Sequence, residues 1–370
     1  MHLFSKTHID FIGLRKIAFI ISGIVIGAGL VSFVIKGGPK LGLDFTGGIE
    51  IHLKFEEFPN IVNIRSGLSK IGLGGAVIQQ YGKKEENTVL IRYRVEKISK
   101  ELASNIIKYR EEKGKFTDLD ELKQIPDVEV VGYENLTNIF TLESSSPGKI
   151  NLNEADQATL ISIIQDIHHR KIVDKIEEAV KKEFGEKNSF EVRSINLIGP
   201  KVSAELRRSA ILAVIISLVG MLAYIAWRFE FRFAVGAVAA LIHDILITAG
   251  ALSLGNYELT LPIIAALLTI VGYSLNDTIV IYARIKENLK TFRKKKELFK
   301  EILNLGINRS LSRTIITSST TLLVIVVLFF WGGAALHGFA FAILIGIITG
   351  TYSSIFIATP VIYAWRKGEK

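Results

Sequence analysis

Six long apolar runs with few or no charges decide what this 370-residue chain can become. They fall at residues 17–35, 210–227, 233–255, 259–283, 315–333 and 338–365. A helix rises 1.5 Å per residue, so about 20 residues cross a hydrocarbon core roughly 30 Å thick. A soluble helix this long keeps one flank in water and carries charge there. The runs account for the 49% apolar composition. They predict a polytopic α-helical membrane protein with six transmembrane helices: 17–35 is the first, and 210–365 holds the other five.

Basic residues set the expected orientation. Residues 284–313 carry ten Lys or Arg and three Glu, a net +7 against +9 for the whole chain. Arg228 and Arg232 mark the link between the second and third runs, and Arg366, Lys367 and Lys370 follow the sixth. The links 256–260 and 334–337 contain neither Lys nor Arg. The positive-inside rule then places the N-terminus (1–16), the basic loop 284–313 and the tail 366–370 in the cytoplasm, with 38–200 outside. The pI near 9.4 follows from this topology and from attraction to anionic membrane lipids, and is weak evidence for nucleic acid. There are no cysteines, which excludes disulfides, thiolate metal sites and cysteine nucleophiles. The first run follows Arg15 and Lys16 like the apolar part of a signal peptide, but no small-residue cleavage site comes after it. An uncleaved anchor is expected.

The long outer segment reads as an α+β domain. GLDFTGG, holding Gly42, Asp44, Gly47 and Gly48, is glycine-rich but follows an apolar run where a phosphate loop would follow a strand, so a tight backbone turn is expected. Alternation at 50–55, 76–81, 88–95 and 190–197 predicts strands, and 61–71 and 172–184 predict helices. Strand–helix–strand–strand–helix–strand is the ferredoxin-like split βαβ. A helical insert at about 97–171 interrupts it. Thr117 and Asn153 stand before acidic first turns as expected N-caps.

The chemistry concentrates in three of the apolar runs. Asp277, with Asn276 beside it, lies in the run TIVGYSLNDTIVIYARI, where an aspartate costs about 2.5–3.5 kcal/mol at mid-membrane. Such a residue is either functional or packing glue neutralised by a neighbouring helix. Asn276 can hydrogen-bond across helices, and Gly272, Tyr273 and Ser274 precede it. His243 and Asp244 form a second polar pair, equally open to proton exchange or to local helix–helix bonding. Arg313 opens the fifth run as a candidate counter-charge, followed by Thr314, Thr317, Ser318, Ser319, Thr320 and Thr321. That hydroxyl stripe reads first as close helix packing. Acids, arginine and hydroxyls together are the parts of a proton relay. The chain has no GxxxxGK[ST] motif, so ATP is not the expected energy source. No cofactor, metal site or enzyme activity is expected.

These residues resemble the SecF side of the SecD/SecF family of protein-export membrane proteins, itself related to the resistance–nodulation–division transporters. The resemblance runs through THIDFIGLRKIAFIIS, LGLDFTGG, IGPKVSAELRRSAILAV, YIAWRFEFRFAVGAVAALIHD, AALLTIVGYSLNDTIVIYARIKENL and INRSLSRTIITSSTT. It covers nearly everything except 97–171. It implies an auxiliary subunit of the Sec translocase in a bacterial inner membrane. Such a subunit acts with SecD and with the SecYEG channel, SecA and YajC to move unfolded exported polypeptide on proton-motive force. It also implies proton-relay roles for Asp277 (NDT) and Arg313 (SRT), with His243 and Asp244 matching an HD motif and a companion acid on SecD. The insert resembles the helix-hairpin-helix, SAM-like domain of GspK-type pseudopilins. Its hairpins read IPDVEV and SIIQDIHH, without the Gly-Ile-Gly turn that holds a phosphate, so no nucleic acid is expected there. It is read as an interaction module or an inert spacer.

Two other functions compete. One is a subunit of a proton-driven exporter of small molecules or lipids, which a large apolar pocket in the outer domain would favour. The other is a scaffold whose insert captures an envelope partner while Asp277 is structural.

Overall fold

The computed structural model describes residues 7–82, 84–93, 96–143, 148–292 and 299–368. Of the segments expected from sequence, 1–6 of the N-terminus, 94–95 of the third strand, 144–147 of the insert's loop, 293–298 of the basic loop and the final two residues lie outside these. In chain order come α1 (Arg15–Ile35), a short α2 (Leu43–Thr46), β1 (Gly48–Phe55), α3 (Ile61–Lys70), β2 (Val77–Tyr81) and β3 (Thr88–Tyr93). Next are α4 (Glu96–Lys113), a 3-10 turn (Leu119–Gln124), α5 (Val128–Val131), α6 (Tyr133–Ile139), β4 (Phe140–Thr141) and β5 (Ile150–Asn151). α7 (Gln157–Phe184) and β6 (Phe190–Ile198) follow. The remainder is helical: α8 (Pro200–Arg228), α9 (Phe231–Leu254), α10 (Leu261–Thr291), α11 (Phe299–Trp331), α12 (Ala334–Ser353), a π-helical turn (Ser354–Ala358) and α13 (Thr359–Gly368). The chain divides into two compact units, Leu43–Arg208 and the segments on either side of it.

In the helical unit, six helices among the described residues are long and apolar enough to cross a membrane. Several run further than the apolar stretches within them, α8 from Pro200 onward among them. α10 and α11 extend into 284–313, so much of the expected basic loop is helix. Lys, Arg and Glu are good helix formers, and Arg284 pairs with Glu287 at 2.8 Å three residues on; charge ends a membrane span without ending a helix. The sixth span breaks in the other direction: a π-turn separates α12 from α13. Small residues allow close packing. A Cβ on Gly29 of α1 would stand 2.7 Å from the Gly250 Cα of α9, and the hydroxyls of Ser32 and Ser253 meet at 2.8 Å on the same seam. Without a hydrophobic force between lipid-embedded helices, such backbone approach and hydroxyl bonding is what binds them.

In the other unit, a fully antiparallel sheet has the order β2-β3-β1-β6. Ile49, Ile51, Leu53 and Phe55 of β1 point to one face and join Ile64 and Leu68 of α3 and Ile176 and Val180 of α7 in the core. Glu50, His52 and Lys54 take the other face, as strand alternation requires. Burial alone would raise the Glu50 carboxyl, but a hydrogen bond from His52 and the Arg92 charge hold it at about 2. Leaving α2, Gly47 and Gly48 take φ of 68° and 127°, and a Cβ on Gly47 would come within 3.1 Å of the Ile198 carbonyl oxygen. The glycine-rich motif is a tight turn into β1, and Asp44 sits in the first turn of α2.

The insert has its own core, built on Leu102, Ile106, Phe116, Leu122, Leu136, Phe140, Leu160 and Ile164. Its last helix does not end at 171. α7 is one helix of 28 residues, whose first half belongs to the insert core and second half to the sheet's core. No glycine or proline interrupts QDIHHRKIV, so nothing stops the helix between them. The expected caps move as well. The 3-10 turn is capped by Asp118, in a capping box with Glu121 that Thr117 reinforces from outside. α7 is capped by Asp156, which accepts from the Thr159 N–H at 2.9 Å. Asn153 instead clamps both backbone groups of Phe116, at 2.7 and 3.0 Å. Residues 150–151 pair as a strand with β4, inside an insert expected to be helical.

Candidate functional site

Two carboxylates lie fully inside the helical unit, and their surroundings differ. Asp244 on α9 is 1% exposed. One carboxylate oxygen lies 2.9 Å from Nδ1 of His243; the other accepts from the hydroxyls of Ser274 on α10 at 2.6 Å and Ser353 on α12 at 2.7 Å. His243 carries the network onward, with Nε2 2.9 Å from the Ser22 hydroxyl of α1. Its ring stacks on Tyr352, centroids 5.9 Å apart, and the Tyr352 hydroxyl donates to the Ala18 carbonyl at 2.8 Å. Four helices thus meet on one acid whose oxygens are all engaged.

Asp277 on α10 is 3% exposed and far less well served. Its only hydrogen bond among the described residues is from the Ser318 hydroxyl of α11, at a long 3.3 Å. That hydroxyl also stands 2.7 Å from Thr351 Oγ1 on α12. Thr351 commits its own proton to the Ile347 carbonyl at 2.9 Å. Ser318 has a single proton for two acceptors, and the shorter, better bond is to Thr351. A buried ionised carboxylate needs several donors or a counter-charge, and Asp277 shares one donor. Its neighbour Thr278 is tied at 2.8 Å to Ser354, the first residue of the π-turn.

The other expected site residues fall in different places. Ser274 bonds Asp244, and Tyr273 donates to Thr321 at 3.4 Å. Asn276 and Gly272 are exposed on the outer side of α10, and Arg313 is exposed on α11. No direct ion pair joins Arg313 to Asp277 among the described residues, but the arginine is near enough to act on the carboxylate through its charge. Adjacent positions on a helix are turned by 100°, and burying Asp277 therefore turns Asn276 outward. Most of the hydroxyl stripe serves its own helix: Thr317 bonds back to the Arg313 and Thr314 carbonyls, and Thr320 and Thr321 to that of Thr317. Only Ser318 reaches an acid. Ser22, Ser353 and Thr351 were not anticipated. Their one signal was polarity inside long apolar runs, which Ser and Thr carry too often to be diagnostic.

Similarity to known proteins is strong. The chain matches, over residues 176–368, the family model described as protein export membrane protein SecD/SecF, C-terminal. Residues 88–141 match a helix-hairpin-helix motif. The protein translocase subunits SecF of Koribacter versatilis and Calditerrivibrio nitroreducens are 35% and 36% identical to it, over 99% of this chain and 94% and 97% of theirs. That of Magnetococcus marinus is 38% identical over the whole chain and 96% of its own. The crystal structure of SecDF from Thermus thermophilus, described as a translocon-associated membrane protein, has a TM-score of 0.69 at 29% identity. A SecDF structure in a super-membrane-facing form has a TM-score of 0.57 at 28% identity. Both alignments cover 99% of this chain, which spans 40% of each SecDF chain.

Fold and bundle define a multi-pass membrane protein with a ferredoxin-like domain between its first two spans. The chain belongs to the SecF family of protein translocase subunits. That membership favours protein export over the small-molecule exporter.

Proposed function

We propose that this chain works with SecD and the SecYEG channel to promote export of unfolded polypeptide after SecA, drawing on proton-motive force, with YajC as a further associate. The observation that carries the reading is Asp277: a carboxylate buried among three helices and served by one shared hydroxyl. Such a group can be emptied and refilled with a proton, whereas Asp244 is held by three donors. A proton crossing about 100 mV delivers about 2.3 kcal/mol, enough to bias a conformational equilibrium more than tenfold. Asn276 and Arg313, both outward-facing, are placed to meet SecD, which supplies the companion acid. His243 and Asp244 are the fixed frame of the relay. The chemistry is transport, with no bond-making step assigned to any residue.

The basic ends of α10 and α11 support a reading with the N- and C-termini in the cytoplasm and the ferredoxin-like domain outside the inner membrane. The insert is read as an interaction module. Its hairpin turn places Asp127 at φ 70°, where a phosphate-binding hairpin uses glycine, and a carboxylate there repels an anion. Nucleic acid is therefore not its partner.

Depletion of the chain tests the proposal. Export of a slow-folding secreted reporter should fall several-fold and return on complementation, and the chain should co-purify with SecD. Normal export with increased sensitivity to small toxic compounds would instead support the exporter.

A further inference from the structure

The π-turn Ser354–Ala358 occupies the centre of the helical unit. Ser353 and Ser354 are fully buried, as are Ala358 and Thr359. A π-turn carries one residue more than the α-helix it interrupts, and such turns gather at functional sites. This one is stitched from within: the Thr359 hydroxyl donates to the Ser354 carbonyl five residues back, at 3.2 Å. Its first turn holds both acids' surroundings. Ser353 donates to Asp244, while Ser354 meets Thr278, the neighbour of Asp277, and donates to the Ser274 carbonyl at 3.3 Å.

Its far side meets two further groups. The first is Tyr282 of α10, 1% exposed, whose hydroxyl has no hydrogen-bond partner among the described residues. A Cβ on Gly236 of α9 would lie 2.5 Å from that hydroxyl and 2.6 Å from the carbonyl oxygen of Ala358, the last residue of the turn. A fully buried, unpaired hydroxyl is costly to keep, and here it lies beside the carbonyls that a change of register would move. The second is Phe356, which packs edge-on against Phe11 at 5.6 Å. Phe11 belongs to the arm preceding α1, which Asn308 of α11 grips by both backbone groups of Ile9, at 3.1 and 2.9 Å. Asn304 holds the same arm through the Ile12 N–H at 3.0 Å.

We infer that the Ser354–Ala358 turn is a two-register switch. In the observed register Ser353 and Ser354 hold Asp244 and Thr278, and Phe356 seats the arm. In the α-helical register the extra residue is expelled, Tyr282 gains a carbonyl acceptor, and Phe356 turns away from Phe11. Ser353, Ser354 and Tyr282 are positioning residues that couple the two buried acids to the arm. The inference rests on the reading of Asp277 as a proton-exchanging group, because the exchange is what tips the register.

The chain lacks cysteine, which makes the test clean. Phe11→Cys and Phe356→Cys are introduced into the full chain co-expressed with SecD, and a short thiol cross-linker is applied to membrane vesicles with and without a proton gradient. Cross-linking should drop at least threefold when the gradient is applied. Tyr282→Phe should abolish that response and keep the yield high, whereas deletion of Ile357 should keep it low in both conditions. A gradient-independent yield in the parent pair, or a Tyr282→Phe variant that responds like the parent, overturns the switch. Asp277→Asn separates the two claims. Normal export by that variant removes the proton reading; lost export alongside a gradient-independent yield in the parent pair removes only the switch.

Discussion

Ser318 stands 3.3 Å from Asp277 and 2.7 Å from Thr351, with one proton to give. This competition keeps the Asp277 carboxylate weakly held, and it can be tested from the far side. Thr351→Val removes the rival acceptor and lets Ser318 donate fully to Asp277. A hydrogen bond to a charged group is worth about 1.5–3 kcal/mol, so the ionised form should be trapped and export should slow about tenfold, with the SecD complex intact. Reporter export followed by pulse-chase measures it.

Asp244 should behave as a structural acid. Removing it in Asp244→Ala takes the acceptor from the Ser274 hydroxyl and one partner each from Ser353 and His243, and a buried group left unpaired costs about 1–3 kcal/mol. The purified protein should melt several degrees lower in detergent, by scanning calorimetry. Asp277→Ala, which orphans nothing that Thr351 does not already satisfy, should move the melting temperature much less.

Acid should loosen the seam between the insert and the sheet domain. His168 and His169 are buried on α7 where the two cores meet. Burial lowers His168 from 6.5 to about 4, helped by the charges of His169, Lys171 and Lys175. Burial likewise lowers His169 to about 4, with Asp166 opposing. Both are neutral in the fold. Their contribution is whole above pH 6.5 and is lost as pH falls through 6.5 towards 4, because the unfolded chain takes up protons first. Hydrogen exchange in α4 and α7 should accelerate over that window, and His168→Gln with His169→Gln should flatten the dependence.

The α1–α9 seam should reject any side chain. Gly29→Val places methyls where the Gly250 backbone already lies 2.7 Å from a Cβ, and overpacking costs about 1–3 kcal/mol. Because backbone cannot move aside as a flexible side chain can, a lowered melting temperature is expected. Gly346→Ala has the Ile270 side chain as its nearest neighbour and should cost less.

Much of this architecture was legible because long apolar runs and two-residue alternation are direct records of burial. Both acids could be found the same way, since a carboxylate in an apolar run is conspicuous. What separates them was not legible: it depends on Ser22, Ser353 and Thr351, ordinary residues whose role exists only once four helices converge. Arg313, the candidate counter-charge, acts on Asp277 through its charge but lies exposed on α11 without touching the acid, a helix rotation that sequence position alone does not specify. α7 was divided because sequence shows its two halves serving different cores, while nothing in the backbone chemistry of HHRKIV divides it. The π-turn leaves no composition signal, since SSIFIA reads as helix.

The most direct measurement compares Asp277→Asn with Asp244→Asn for export of a slow-folding reporter across energised membranes, with SecD co-purification as the assembly control. The account predicts that Asp277→Asn assembles normally yet loses the gradient-dependent part of export, while Asp244→Asn loses export only to the extent that it loses stability. Normal gradient-dependent export by an assembled Asp277→Asn complex would contradict it and leave Asp277 a structural residue.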